Sequence, residues 1–232
     1  MSLERETQRV REVYDGRTKA EVARRGTPLD PFELCAIHER EELLAEILRR
    51  EGLISLAGLR ILDIGCGTGN LLRHFLDFRA EPEKCCGIDL LNDRLKIAHR
   101  CAPSIGYTMA SGAQLPFPDE TFDLTVQFTV FTSILDAQVR SAIASEIVRT
   151  LKKRGKFIWY DFAYNNRRNS NVRGIPRNEM RTLFPGCRFR FWSVTLAPPI
   201  ARPAARIHPF LYRALSEIRF LRSHFMCLVE KS

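Results

Sequence analysis

The chain has 232 residues, 45% of them hydrophobic and 27% charged, enough for one domain with a substantial core. No run approaches the roughly 18 apolar residues of a membrane span, and the charged start Met1-Ser2-Leu3-Glu4-Arg5-Glu6 lacks an apolar signal core, so a cytoplasmic protein is expected. The net charge of +9 is lopsided: residues 1–150 hold 19 Lys and Arg against 23 Asp and Glu (−4), and residues 151–232 hold 17 against 4 (+13). That pattern points to an anionic partner for the last third, or to a basic surface that only aids solubility. The cysteines number seven, with no C-x-x-C pair, which argues against a disulfide framework or a zinc site.

In chain order, Glu4 to Arg25 is polar and helix-friendly, with scattered Val10, Val13, Tyr14 and Val22. The prolines of Gly26–Pro31 break it, and Phe32 to Arg50 shows helical spacing up to a stop at Gly52. Residues 1–55 are expected to form a helical cap or lid with the Gly26–Pro31 loop as its hinge, and residues 56–232 the main domain. From Leu59 the period changes: LRILDIG, KCCGIDL, GYTMA, FDLTVQFTVF and KFIWYDF read as strands. Between them NLLRHFLDF, NDRLKIAHRCA (capped by Asn92 or Asp93) and AQVRSAIASEIVRTLKK read as helices. Such alternation indicates βαβ units and a parallel sheet. Two late strands, CRFRFWSVTLA and SHFMCLVEK, flank one helix-like stretch from Ala205 to Phe220 and predict an antiparallel element at the end.

The stretch LDIGCGTGN, Leu62 to Asn70, joins the first strand to the first helix. Its glycines allow a tight turn and close ligand approach, and Asp89 ends the next strand, where a carboxylate can accept ribose hydroxyls. A dinucleotide fingerprint would need Gly or Ala where Asn70 stands. Asp63, just before the glycines, would repel a pyrophosphate but suit the positive end of a sulfonium nucleoside. The plainer alternative is a structural turn.

ILDIGCGTGN, GIDL, LPFPDETFDL and IVRTLKKRGKFIW together resemble the successive motifs of class I S-adenosylmethionine-dependent methyltransferases, and the LPF.D..FDL run resembles their small-molecule branch, related to the quinone-pathway enzymes. The resemblance covers Leu59 to Phe162 and, through the late strands, extends to the C-terminus; more loosely the chain resembles methyltransferases of bacterial polysaccharide and natural-product pathways. It implies an α/β, Rossmann-like seven-stranded sheet, mostly parallel with an antiparallel last strand, helices on both faces and an N-terminal helical lid. It also implies S-adenosyl-L-methionine as cofactor and S-adenosyl-L-homocysteine as product. Carried over by position, Asp63 would hold the methionine amino group, and Gly65, Cys66, Gly67 and Gly69 would line the cofactor. Asp89 would bind the ribose, Leu90 would pack on the adenine, and Gln127 and Phe128 would flank the methionine part. Ser111, Gly112 and Ala113 would make the adenine contact, although Ser111 stands where the family often has an aspartate.

Methyl transfer needs alignment and shelter from water, and a base only if the nucleophile must lose a proton. The candidates are Tyr14, His38, Tyr160 and Asp161, each with a plainer structural reading beside the catalytic one; His208 ranks below them. Asn165, Asn166, Arg167, Arg168 and Arg173 leave the carboxyl end of the fifth strand and would line the substrate mouth, where guanidinium groups pair with anionic groups; a surface loop is the alternative. The basic and apolar segment from Ala197 to Leu221 could cover the substrate, touch a membrane surface or join two chains. The expected partner is a small-molecule acceptor, anionic or glycan-like, methylated on oxygen. A nucleic-acid acceptor is the weaker alternative, because no RNA-binding module and no Asn/Asp-Pro-Pro-Tyr/Phe motif is present. A quinone or lipid acceptor and a non-catalytic binding protein complete the set.

Overall fold

The computed structural model describes residues 3–21, 30–165 and 169–232. Two helices come first, α1 (Leu3–Glu21) and α2 (Pro31–Arg50). Then strands and helices alternate: β1 (Ile61–Ile64), α3 (Asn70–Asp77), β2 (Cys85–Asp89), α4 (Asn92–Cys101), β3 (Gly106–Met109), β4 (Phe122–Phe128), α5 (Ala137–Thr150) and β5 (Leu151–Phe162). The C-terminal part adds α6 (Arg177–Leu183), β6 (Arg188–Leu196), α7 (Pro198–Ile207), α8 (Pro209–Ser216) and β7 (Arg222–Glu230). The sheet order is β3-β2-β1-β4-β5-β7-β6. The first five strands are parallel, and β7 runs antiparallel to both its neighbours. This is the expected seven-stranded, mostly parallel architecture.

The strands are apolar on both sides because both faces are covered. On one face Leu62, Ile64, Phe157 and Trp159 pack with Ile143 and Ile147 of α5 and Met180 of α6. On the other, Ile61, Val126, Ile158 and Tyr160 pack with Leu72 and Phe75 of α3 and Leu44, Ile47 and Leu48 of α2. Burying one such side chain contributes about 1.5–3 kcal/mol, so α2 is bound into the body of the fold. The strand order reverses between β1 and β4, and there the loops after β1, β2 and β4 open on one edge. Ligands bind at such a switch point in open α/β sheets.

Three local expectations are corrected. The cap of α4 is Leu91, not Asn92 or Asp93, and it makes no side-chain cap bond; Asp89 Oδ1 takes the Leu91 N–H at 2.9 Å. The α5 helix stops at Thr150 rather than running through Lys153. The Arg149 and Thr150 carbonyls accept from Glu120 and Thr121 (3.0 and 2.8 Å), which draws the chain into the sheet early. The single late helix is two helices, broken at His208, whose Nδ1 accepts the Phe210 N–H at 3.1 Å to start α8.

Candidate functional site

The turn after β1 is shaped by its backbone. The Gly65 and Cys66 N–H groups both donate to the Ile88 carbonyl, at 2.8 and 2.9 Å, tying the turn to β2. Gly65 lies at φ +73°, and a Cβ there would come within 2.4 Å of the Val130 side chain, so no other residue fits. Gly67 lies at φ +55° with nothing within 4 Å of where its Cβ would be, which leaves a cradle open beside the turn. Asp89 Oδ2 accepts the Gly67 N–H at 2.9 Å. Each Asp89 oxygen thus has one backbone donor and spare lone pairs for hydroxyl donors.

Asp63 is 3% exposed and has no hydrogen-bond or ion-pair partner among the described residues. Burial, then the nearby Asp89 charge, pushes its carboxyl up to about 8. A buried acid without a partner is costly, and an ammonium group is what would relieve it. The same burial, with Asp63 and Asp89 beside it, pushes the Cys66 thiol up and keeps it neutral.

Beside this turn lies a cleft lined by Gly65, Asp89, Leu90, Ser111, Gly112 and Phe128 from the sheet edge and by Thr7, Val10 and Tyr14 from α1. The α1 helix is held over it by a polar latch. Glu6, fully buried, accepts the Leu135 N–H at 2.6 Å and pairs with Arg9 at 2.7 Å. Burial opposes the Glu6 charge, but Arg9 and the Leu135 and Asp136 N–H groups hold its carboxyl below the usual range. Arg9 also donates to the Ser133 carbonyl at 2.5 Å, and the Tyr14 hydroxyl meets Ser133 Oγ at 2.6 Å.

Residues 62–159 match the family model described as a methyltransferase domain. The chain is 26% identical over 112 residues to a ubiquinone/menaquinone biosynthesis C-methyltransferase from Shewanella piezotolerans, a match that covers 46% of this chain and 43% of that protein. It is 27% identical over 117 residues to a tRNA N(3)-cytidine methyltransferase from Gallus gallus, covering 47% of this chain and 31% of that protein. The matched segment is therefore less than half the length of these relatives. An S-adenosylmethionine-dependent methyltransferase from Archaeoglobus fulgidus superposes with a TM-score of 0.59 at 16% identity, over 82% of this chain and 94% of that one, and shares the fold. Residues 62–159 thus carry a methyltransferase domain, in a chain with the fold of the S-adenosylmethionine-dependent enzymes. The relatives differ in the atom they methylate, so the domain fixes the cofactor and not the acceptor.

The residues present fit that cofactor: Asp63 supplies the missing partner for an amino group, Gly67 an open cradle, and Asp89 two hydroxyl acceptors. Of the other residues carried over, Leu90, Ser111, Gly112 and Phe128 line the cleft, while Cys66, Gly69 and Ala113 stand behind it. Gly69 caps α3 with Tyr107 against it, and Ala113 donates its N–H to Ser111 Oγ at 3.3 Å. Gln127 lines neither cleft. It is fully buried, beside Trp159 in the sheet register, on the face that packs against α5.

A second, larger cleft adjoins the first, sharing Tyr14, Arg94, Thr129 and Ser133 as a common wall. Its floor is Tyr160, Phe162 and His224, and its roof is the Glu33, Ala36, Ile37 and Arg40 stripe of α2. Of the four candidate bases, Tyr14 lines both clefts and Tyr160 lines the second. The Tyr160 hydroxyl bonds Thr195 Oγ1 at 2.8 Å, and burial pushes it up to about 12, which makes it a donor rather than a base. His38 lies outside both clefts, exposed and 3.0 Å from Glu42. Asp161 is fully buried and lines neither cleft. It accepts from the N–H and hydroxyl of Thr132 and the N–H of Phe162, with burial pushing its carboxyl up to about 7. Its partners make it a structural carboxylate that holds the Thr132 turn.

In the substrate loop, Arg173 lines the second cleft, its guanidinium paired with Glu179. Asn165 is structural, its Oδ1 accepting the Gly174 N–H at 2.9 Å. Asn166, Arg167 and Arg168 lie outside the described residues. Arg40 and His224 went unnoticed in the sequence, as did the junction residues Thr129 and Ser133.

Proposed function

We propose that this chain methylates a small-molecule acceptor on oxygen, the acceptor bearing an anionic group and lying in the second cleft. The observation that carries this reading is the shared wall: two clefts meet at Tyr14, Thr129 and Ser133, one fitted to the cofactor and one large, polar and basic. The bound cofactor supplies an activated methyl group. The protein's part is alignment and exclusion of water. The α1 latch through Glu6 and Arg9 holds that helix over the first cleft. Tyr14 and Ser133, hydrogen-bonded to each other at the junction, are placed to hold the acceptor oxygen in line.

A nucleic-acid acceptor would need a run of free arginines for its phosphates. In the basic C-terminal third, Arg188 and Arg190 are paired with Glu230 and Glu51. That pairing favours the small acceptor. The test has two stages. Calorimetry should show S-adenosylhomocysteine binding, and a panel of phenolic and hydroxylated acids should then support turnover of S-adenosylmethionine. Turnover on RNA with steep salt dependence, and none on the acids, would reverse the choice of acceptor.

A further inference from the structure

We propose that Arg40, with Tyr160 and His224 beneath it, binds a carboxylate or phosphate group of the acceptor, whose apolar body lies on the aromatic floor of the second cleft. The proposal rests on the methyl-transfer reading above and deepens it by giving the anionic group a place.

Three observations converge on Arg40. The first is its setting in the cleft. Glu33, Ala36, Ile37 and Arg40 recur at i, i+3, i+4 and i+7, the spacing of one helix face, and all four line the cleft. The second is its stacking. Its guanidinium carbon sits 5.6 Å from the centroid of the Phe128 ring and 5.7 Å from that of Tyr160. That engages the faces of the group and leaves its N–H edges unspent.

The third is the lack of an acceptor. Among the described residues no carboxylate or carbonyl takes a hydrogen bond from Arg40. Arg140 shows what a structural arginine looks like in this protein: it is buried, bonds the Ile134 carbonyl and pairs with Glu179 at 2.9 Å. Glu39, next to Arg40 on α2, is already taken up by the Thr195 N–H at 3.0 Å and the Tyr212 hydroxyl at 2.7 Å.

His224 completes the site. Its ring stacks on Tyr160 at 4.9 Å with 2° between the planes and lies 4.1 Å from Phe162. Nδ1 is 3.0 Å from Ser223 Oγ, and Nε2 has no partner among the described residues. Burial, then the Arg40 charge, pushes the imidazole down to about 3, so it is neutral. The one Ser223 hydroxyl proton has two acceptors in reach, the Thr195 carbonyl at 3.3 Å and Nδ1 at 3.0 Å; in the tautomer where it goes to Nδ1, Nε2 carries the ring proton and can donate to an anion that Arg40 holds. Bases outnumber acids in the cleft: Arg94, Arg173, Arg202 and Arg206 line it with Arg40, against Asp30 and Glu33, and Asp30 already caps the Phe32 N–H at 2.9 Å.

The test uses the full chain with S-adenosylhomocysteine bound and three probes: benzoate, phenyl phosphate and the neutral isostere benzamide. Binding is read from the His224 ring signals in NMR, assigned by their loss in His224→Gln. Benzoate or phenyl phosphate should move those signals with an affinity about ten-fold or more above that of benzamide. Arg40→Met should remove that preference and keep S-adenosylhomocysteine affinity and thermal melting. Arg188→Met, a change of equal charge at the far sheet edge, should leave probe binding unchanged. Binding of neither acid, equal binding of benzamide, or acid binding that survives Arg40→Met would overturn the proposal. Failure of the unaltered chain to bind S-adenosylhomocysteine would instead overturn the methyl-transfer reading.

Discussion

The two adjoining clefts handle charge in opposite ways. The first presents Asp89, held by backbone N–H groups from two turns, and Asp63 is buried near Asp89 without a partner among the described residues. The second is basic, and its arginines are supplied by separate elements, Arg40 by α2, Arg94 by α4 and Arg202 by α7. The acids serve a fixed ligand, positive at one end and hydroxylated at the middle. On the proposed reading the arginines serve the acceptor, which differs from one relative to the next. A site for an invariant ligand can sit on one rigid turn. A site for a variable one can be assembled from helices and loops that change independently.

The hardest way to break this contrast is through Asp63. With Asp63→Asn, S-adenosylhomocysteine affinity should fall more than about 100-fold, since a buried ion pair loses a partner. The folded-state proton affinity of Asp63 is raised to about 8, above its unfolded value. Its contribution to stability is therefore present at low pH and lost as pH rises through about 8. Without ligand, the melting temperature should decline from pH 5 to pH 8, less so in Asp63→Asn; the shared slope from Asp161, raised to about 7, cancels in the difference. Ligand binding near pH 7 should release a proton from Asp63, read by calorimetry in buffers of different ionisation enthalpy. No release in the unaltered chain would place the amino group elsewhere.

Asp89→Ala comes next. It removes both hydroxyl acceptors and strands the Gly67 and Leu91 N–H groups, at about 1–3 kcal/mol for each buried group left unpaired. S-adenosylhomocysteine affinity should fall about 100-fold and the melting temperature should drop as well, so calorimetry and melting move together, unlike Asp63→Asn below pH 7. Glu6→Gln tests the lid. It weakens the Arg9 pair and the Leu135 contact, and ligand release in stopped flow should quicken about ten-fold. An unchanged release rate would mean that α1 packs over the cleft without gating it.

The contrast also explains what was legible. LDIGCGTGN carries its chemistry in one unbroken stretch, so the cofactor end could be read from neighbours in sequence. The acceptor end draws on Tyr14, Arg40, Tyr160 and His224, from α1, α2, β5 and β7, which only the fold brings together. Two misplacements are geometric. His38 lies on α2 two positions before Arg40, about 200° around the helix, and so points away from the cleft. Gln127 and Phe128 are neighbours in a strand and face opposite sides, and only Phe128 reaches the cleft. Arg40 escaped because an arginine on an amphipathic helix ordinarily reads as solvent face. The split at His208 escaped because Pro209 both ends one helix and can start the next.

The smallest expected effect tests the one departure of the cofactor end from its family. Ser111 lines the cleft just after β3, where an acid often contacts the adenine amino group, and its Oγ accepts the Ala113 N–H at 3.3 Å. An aspartate there keeps an oxygen for that turn and adds a second acceptor toward the cleft. Ser111→Asp should tighten S-adenosylhomocysteine by a few-fold, about the worth of one hydrogen bond less the cost of a third carboxylate near Asp63 and Asp89. S-inosylhomocysteine, which lacks the amino group, should gain nothing. Equal gains for both ligands would trace the effect to general packing, and loss for both would show that charge repulsion outweighs any contact. Only a gain confined to the adenine ligand assigns the Ser111 turn to the base edge, and it would make the cofactor cleft acidic along its whole length, in sharper contrast to the arginines next door.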